Sequence, residues 1–183
     1  MNSGLLYGGM GKLWVKLAVV AVALAMGGCS GSRPPAVGMA APDFTVSDSQ
    51  HTITLSQYRG HIVVLNFWAT YCEPCIEELP SLQRMAAQMK SHGVDVVTIS
   101  EDTDEYAYRR FLQRYHIELL SVRDGGLRSP RLYGTTGIPE TFVIDPQGIV
   151  RRKFIGAVEW TKPEIIEYLT RLQGAAARQQ AAN

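Results

Sequence analysis

The run from His61 to Trp68 (HIVVLNFW) is almost unbroken in apolar character. A strand of that kind must be covered on both faces, which commits the chain to a layered α/β domain built around it. Ala69-Thr70-Tyr71-Cys72-Glu73-Pro74-Cys75 follows directly, and then a helical stripe of Leu79, Leu82, Met85, Ala86 and Met89. The Cys-x-x-Cys pair therefore falls at a strand-to-helix junction. There the helix N-terminus favours the thiolate of Cys72. Pro74 fixes the first turn and lacks an N–H that would need a partner. Two cysteines so placed can pass between dithiol and disulfide, so thiol–disulfide exchange is the expected chemistry. The Cys72–Cys75 disulfide is itself the redox group, and no bound cofactor is expected.

The rest of the chain fits around that strand. Phe44–Val46 and Thr52–Leu55 alternate across a polar turn and read as a hairpin. The helix after Cys72 is expected to reach about Lys90, with a kink at Pro80. Val94–Ser100 is a second buried strand. Asp102 to Asp104 cap a helix carrying Tyr108, Phe111, Leu112 and Tyr115, and Ile117–Val122 reads as a third parallel strand. Ser129–Tyr133 is a short helix. Thr141–Ile144 and Ile149–Ile155 flank Asp145-Pro146-Gln147-Gly148, which has the residues of a type I turn. Thr161 caps a last helix with Ile165, Ile166, Leu169 and Leu172 inward. Strand–helix alternation followed by a hairpin and a helix predicts a mixed central sheet with helices on both faces. The cysteine pair then lies at the carboxyl end of a central strand, where open sheets place their sites.

Residues 1–28 read as an export signal: Lys12 and Lys16, an apolar stretch from Leu17 to Met26, then two glycines before Cys29. Cys29 is the expected lipidation site, although Met26 stands where a lipobox usually has Leu. The alternative is an uncleaved N-terminal anchor. Either reading puts the redox pair outside the cytoplasm, where disulfides persist. The expected layout is a lipidated cysteine and flexible tether over 29–41, a domain over 42–173 and an unfolded polar tail over 174–183. The net side-chain charge of +1 becomes −1 once the two signal lysines are removed, and no basic block marks a nucleic-acid partner. His51, His61, His92 and His116 are scattered and form no ligand spacing with the cysteines, so no metal site is expected.

Three signatures in order carry a family resemblance. Val64-Leu65-Asn66-Phe67-Trp68-Ala69-Thr70 leads into the cysteine pair, Glu78-Leu79-Pro80 follows on the helix, and Gly137-Ile138-Pro139-Glu140-Thr141-Phe142-Val143-Ile144-Asp145 comes later. From about Pro42 to Leu172 the chain resembles the TlpA/ResA group of thioredoxin-like proteins, exported thiol–disulfide oxidoreductases of bacteria. The resemblance implies a thioredoxin-like fold with an N-terminal β-hairpin and an inserted helix–strand segment over Asp104–Val122. It implies a cis bond from Ile138 to Pro139, leaving the Ile138 backbone free to pair with an extended substrate.

The resemblance also implies roles at the site. Cys72 is the exposed nucleophile and Cys75 the buried resolving thiol. Where ordinary thioredoxins have a buried Asp, this chain has Asn66, and Glu78 becomes the candidate proton carrier. The other reading of Glu77 and Glu78 is a solvated complement to the helix dipole. Glu73 opposes the thiolate and tilts the pair towards a reductant, unless solvent screens it. Trp68, Tyr71 and Ile138 are expected around the substrate. Implied partners are exported proteins with disulfides, first apocytochrome c and then copper-site proteins, and a membrane thiol reductant as electron donor. Ser30 after the lipid cysteine points to the outer membrane if the cell is Gram-negative. A thiol peroxidase and a non-enzymatic copper or metal carrier are the alternatives.

Overall fold

The computed structural model describes residues 34–181. The expected export signal and the expected lipidation site Cys29, with Ser30 after it, lie outside the described residues. A five-stranded sheet runs in the order β5-β4-β3-β6-β7, with β3 (Ile62–Trp68), β4 (Val94–Ser100), β5 (Leu120–Arg123), β6 (Glu140–Ile144) and β7 (Val150–Ile155). β3, β4 and β5 are parallel, β6 pairs antiparallel with β3, and β7 pairs antiparallel with β6. β1 (Thr45–Ser47) and β2 (Thr52–Thr54) form a separate hairpin. The helices are α1 (Glu73–Met89), α2 (Glu105–Arg114), α3 (Arg128–Tyr133) and α4 (Pro163–Ala181). This is the expected mixed α/β architecture.

Every residue of β3 is buried, as its composition requires, and alternate residues feed two cores. Val63, Leu65 and Phe67 meet Phe44, Val46 and Ile53 of the hairpin region and Tyr133 of α3. Ile62 and Val64 meet Leu82, Met85 and Met89 of α1 and Ile165 and Leu169 of α4. At the carboxyl end of β3, Trp68 packs with Leu79 of α1 and Tyr108 of α2, and Phe111 and Leu112 close over them. The Tyr108 hydroxyl donates to Ser121 of β5 at 2.8 Å, which ties α2 to the edge strand. Burial pushes that phenol up to about 12.

The turns follow from local chemistry. Asp145 Oδ1 accepts the amides of Gln147 and Ile149, and Gly148 takes the left-handed φ of +81° that closes the β6–β7 turn. Asp104 caps α2 by accepting from the Tyr106 and Ala107 amides. α1 continues through Pro80 to Met89 and gives way to a single 3₁₀ turn before Gly93 at φ +68°.

Three expectations are corrected. The flexible tether was expected to reach residue 41, yet Pro35 is buried and Gly38 and Ala41 donate to the carbonyls of Val150 and Gly148. Ala40 bridges Ile149. The segment is held by backbone bonds, which its small and proline-rich composition does not reveal. At the other end α4 runs on to Ala181, where an unfolded tail was expected. Ala and Gln are good helix formers, and no proline interrupts them after Pro163. Finally, the Thr161 hydroxyl donates to Glu159, and α4 begins at Pro163 instead of at a Thr161 cap.

Candidate active site

Cys72 and Cys75 are joined in a disulfide at the N-terminus of α1. Cys72 is the N-cap, and its Sγ accepts the Cys75 amide at 3.3 Å. A developing thiolate at this atom would meet that N–H and the positive end of the helix. Cys72 is 9% exposed and Cys75 is fully buried, so an approaching sulfur can reach only the first. The Ile138–Pro139 bond is cis, and the Ile138 carbonyl oxygen lies 3.6 Å from Cys72 Sγ. Glu73 and Pro74 occupy the first two positions of α1 and face solvent, so Glu73 has the screened placement. Tyr71 is 71% exposed beside the pair, and Ile138 is half-buried. Trp68 is corrected: it is fully buried under α2 and underlies the site without reaching a substrate.

Glu78 lies one turn beyond Cys75 and is 3% exposed, unlike its solvated neighbour Glu77. Its Oε1 accepts Asn66 Nδ2 at 2.7 Å, and its Oε2 accepts the Val158 amide at 2.8 Å. Asn66 Nδ2 also donates to Thr141 Oγ1 at 2.9 Å. Burial raises the Glu78 carboxyl above its ordinary value, and the bonds from Val158 and Asn66 offset part of that rise. The Trp160 indole N–H is buried with no partner in bonding distance among the described residues, and it lies close enough to favour the charged carboxylate.

A second buried acid went unnoticed in the sequence as a member of the site. Asp102 points inward under the loop that leads to Cys72. Its Oδ2 accepts the Thr70 amide at 3.0 Å and the Ser100 hydroxyl at 2.6 Å, and its Oδ1 accepts the Thr70 hydroxyl at 2.5 Å. The available signal was a Ser-Glu-Asp run at the carboxyl end of a buried strand. Further acids rim this edge of the sheet. Glu101 follows β4 with its carboxyl raised, first by burial and then by the charges of Glu140 and Asp124. Glu140, directly after Pro139, is buried and paired with Lys153 at 2.7 Å. Among the described residues, no group of three His, Cys, Asp or Glu side chains is arranged to hold a metal. What the arrangement offers is a disulfide that can be exchanged at Cys72, with the Glu78 carboxyl buried one turn beyond Cys75.

Known proteins share this organisation. A model of the AhpC/TSA family matches residues 37–153. The thiol-disulfide oxidoreductase ResA of Bacillus thuringiensis subsp. konkukian is 32% identical over 137 residues, covering 74% of this chain and 78% of ResA. ResA of Halalkalibacterium halodurans is 30% identical over 167 residues, covering 86% of this chain and 95% of the relative. The crystal structure of a protein from Chlorobium tepidum, titled as a thiol:disulfide interchange protein DsbE, superposes with a TM-score of 0.67 at 32% identity. It covers 78% of this chain and 98% of that one. With a disulfide-linked Cys-x-x-Cys capping α1 beside a cis proline on a thioredoxin-like sheet, the chain belongs to the AhpC/TSA family and, within it, to the ResA-like thiol–disulfide oxidoreductases.

Proposed function

We propose that the protein is an extracytoplasmic disulfide reductant, held at the membrane through Cys29, that reduces disulfides of exported proteins. The observation that carries the reading is the pairing of a barely exposed Cys72 with a buried Cys75 and a buried Glu78 one turn later. In the reducing cycle the Cys72 thiolate attacks a client disulfide and one client sulfur leaves. Cys75 then attacks the mixed disulfide as Glu78 takes its proton. The bond between Cys72 and the client breaks, the Cys72–Cys75 disulfide forms, and the client keeps two electrons as its dithiol. Cys72 gains nucleophilic character from the Cys75 amide and the helix end, while Tyr71 and the Ile138 backbone receive the client chain. A membrane thiol reductant must restore the dithiol, because no soluble thiol pool exists outside the cytoplasm. Apocytochrome c is the first client class and copper-site proteins the second. The outer membrane, from Ser30, is the expected location in a Gram-negative cell.

The reduction potential of the Cys72–Cys75 pair is the deciding measurement. A value at or below about −270 mV supports a dedicated reductant, and one near about −120 mV removes the reading in favour of an oxidant. Trapping with Cys75→Ser, which stalls the mixed disulfide on Cys72, then identifies the client.

A further inference from the structure

The connection between β7 and α4 closes the buried flank of the site, and one hydroxyl holds it there. Ser81, three residues beyond Glu78 on α1, is 1% exposed. Its Oγ accepts the Trp160 amide at 3.1 Å and faces two carbonyls as donor, those of Glu78 at 2.9 Å and Val158 at 3.3 Å. A hydroxyl has one proton and two lone pairs, so Ser81 can hold the Trp160 amide throughout while its proton serves either carbonyl. The same short segment places the Val158 amide 2.8 Å from Glu78 Oε2. Trp160 itself is fully buried, with its ring edge-on to Phe154.

We propose that Ser81 is a positioning residue for the exchange chemistry: by clamping Val158–Trp160 to α1 it keeps the Val158 amide on Glu78, and so fixes how readily that carboxyl gives and takes a proton. The inference rests on the proton-carrying role proposed for Glu78. The groups that face Glu78 are Asn66 of β3, the Val158 amide and the Trp160 indole. Among the described residues no charged side chain acts on it, so the loop amide is one of the few controls on that carboxyl. Releasing the loop removes a hydrogen bond that is stronger to the charged form than to the neutral one, which favours the protonated form.

The test uses the full-length oxidised protein with carbon-13 label in its glutamate carboxyls. The Glu78 titration and the hydrogen exchange of the Val158 and Trp160 amides are followed in wild type, Ser81→Ala and Ser81→Thr. Ser81→Ala is expected to speed exchange at both amides and to make Glu78 bind its proton about tenfold more tightly, the equivalent of one charge-assisted hydrogen bond. Ser81→Thr, which keeps the hydroxyl, restores both readouts. Val158→Pro, which deletes the amide while leaving Ser81 in place, reproduces the tighter proton binding. An unchanged Glu78 titration in Ser81→Ala despite released loop amides overturns the proposal, as does equal displacement in Ala and Thr. These readings need no client, so failure to reduce client disulfides refutes the proposed function without moving this result.

Discussion

Asp102 gives the sharpest test of how the active-site loop is held. Its two oxygens have different tasks: Oδ2 accepts both the Thr70 amide and the fully buried Ser100 hydroxyl, while Oδ1 accepts only the Thr70 hydroxyl. Asp102→Ala removes both oxygens and with them all three hydrogen bonds. The Ser100 hydroxyl and the Thr70 amide each lose a charge-assisted bond in a poorly hydrated place, at about 1–2 kcal/mol apiece. Thr70 is half-exposed, so its hydroxyl recovers most of its loss from water. The expected total is about 3 kcal/mol. Asp102→Asn behaves differently. Its oxygen can take the Oδ2 position and keep both important donors, and its NH₂ then faces a Thr70 hydroxyl that can rotate to accept. The expected loss is below about 1 kcal/mol. Urea denaturation of the oxidised proteins at neutral pH, with m-values compared, reads both numbers. Equal losses for Ala and Asn, or an Ala loss under about 1 kcal/mol, would refute the assignment of separate tasks to the two oxygens.

Three further outcomes are expected. Burial raises the Glu78 carboxyl in the folded protein, so the fold holds a proton there that the unfolded chain releases at lower pH. The stability this provides is complete below the ordinary carboxyl value and is lost as pH rises through the raised folded value. Glu78→Gln removes that decline, with Asn66 turning its unpartnered Oδ1 to the new amide, and urea midpoints that stay parallel to wild type from below the ordinary carboxyl value upward would sink the idea. Asp48 accepts the amides of Gln50, His51 and Arg123 and pairs with Arg109, which together outweigh its burial and lower its carboxyl. Asp48→Ala should cost about 3 kcal/mol and speed amide exchange at Arg123, and a loss within about 0.5 kcal/mol would contradict the clamp. Gly134 has φ +64°, and a Cβ there would collide with the Pro34 ring. Gly134→Ala should cost about 1–2 kcal/mol and expose the Gly38 and Ala41 amides to exchange, whereas protected amides would show that Pro34 is not seated on Gly134.

What was legible in the sequence was whatever the side chains of neighbouring residues encode. β3 was plain because a strand buried on both faces must be apolar throughout, and α1 because its stripe repeats at helical spacing after an N-cap. Asp145 and Gly148 announced the β6–β7 turn for the same local reason. The docking of residues 35–41 was hidden because it depends on backbone donors and carbonyls, which every sequence carries alike. Pro34 and Pro35 read as part of a tether for that reason. The run of α4 to Ala181 was a misjudgement of propensity, since an Ala/Gln-rich stretch extends a helix already anchored by Leu169.

The site divides along the same line, and the division falls between what the reactive atoms are and how they are tuned. Cys72, Cys75 and Glu78 occupy successive turns of one helix, so their spacing alone brought them together. The groups that hold Glu78 and the loop before Cys72 come from elsewhere in the chain: Asp102 reaches Thr70 across 32 residues, Asn66 reaches Glu78 across 12, and the Val158 amide reaches it across 80. Two of these are ordinary polar residues, and the third is a backbone N–H with no residue type to betray it. Trp68 was misplaced by the same blindness, because an aromatic beside a cysteine pair looks like a contact surface until α2 is seen to cover it. The chemistry of this protein is therefore local, while its proton affinity is a property of the closed fold. Changes in the β7–α4 connection should alter the rate and pH dependence of exchange without touching a cysteine.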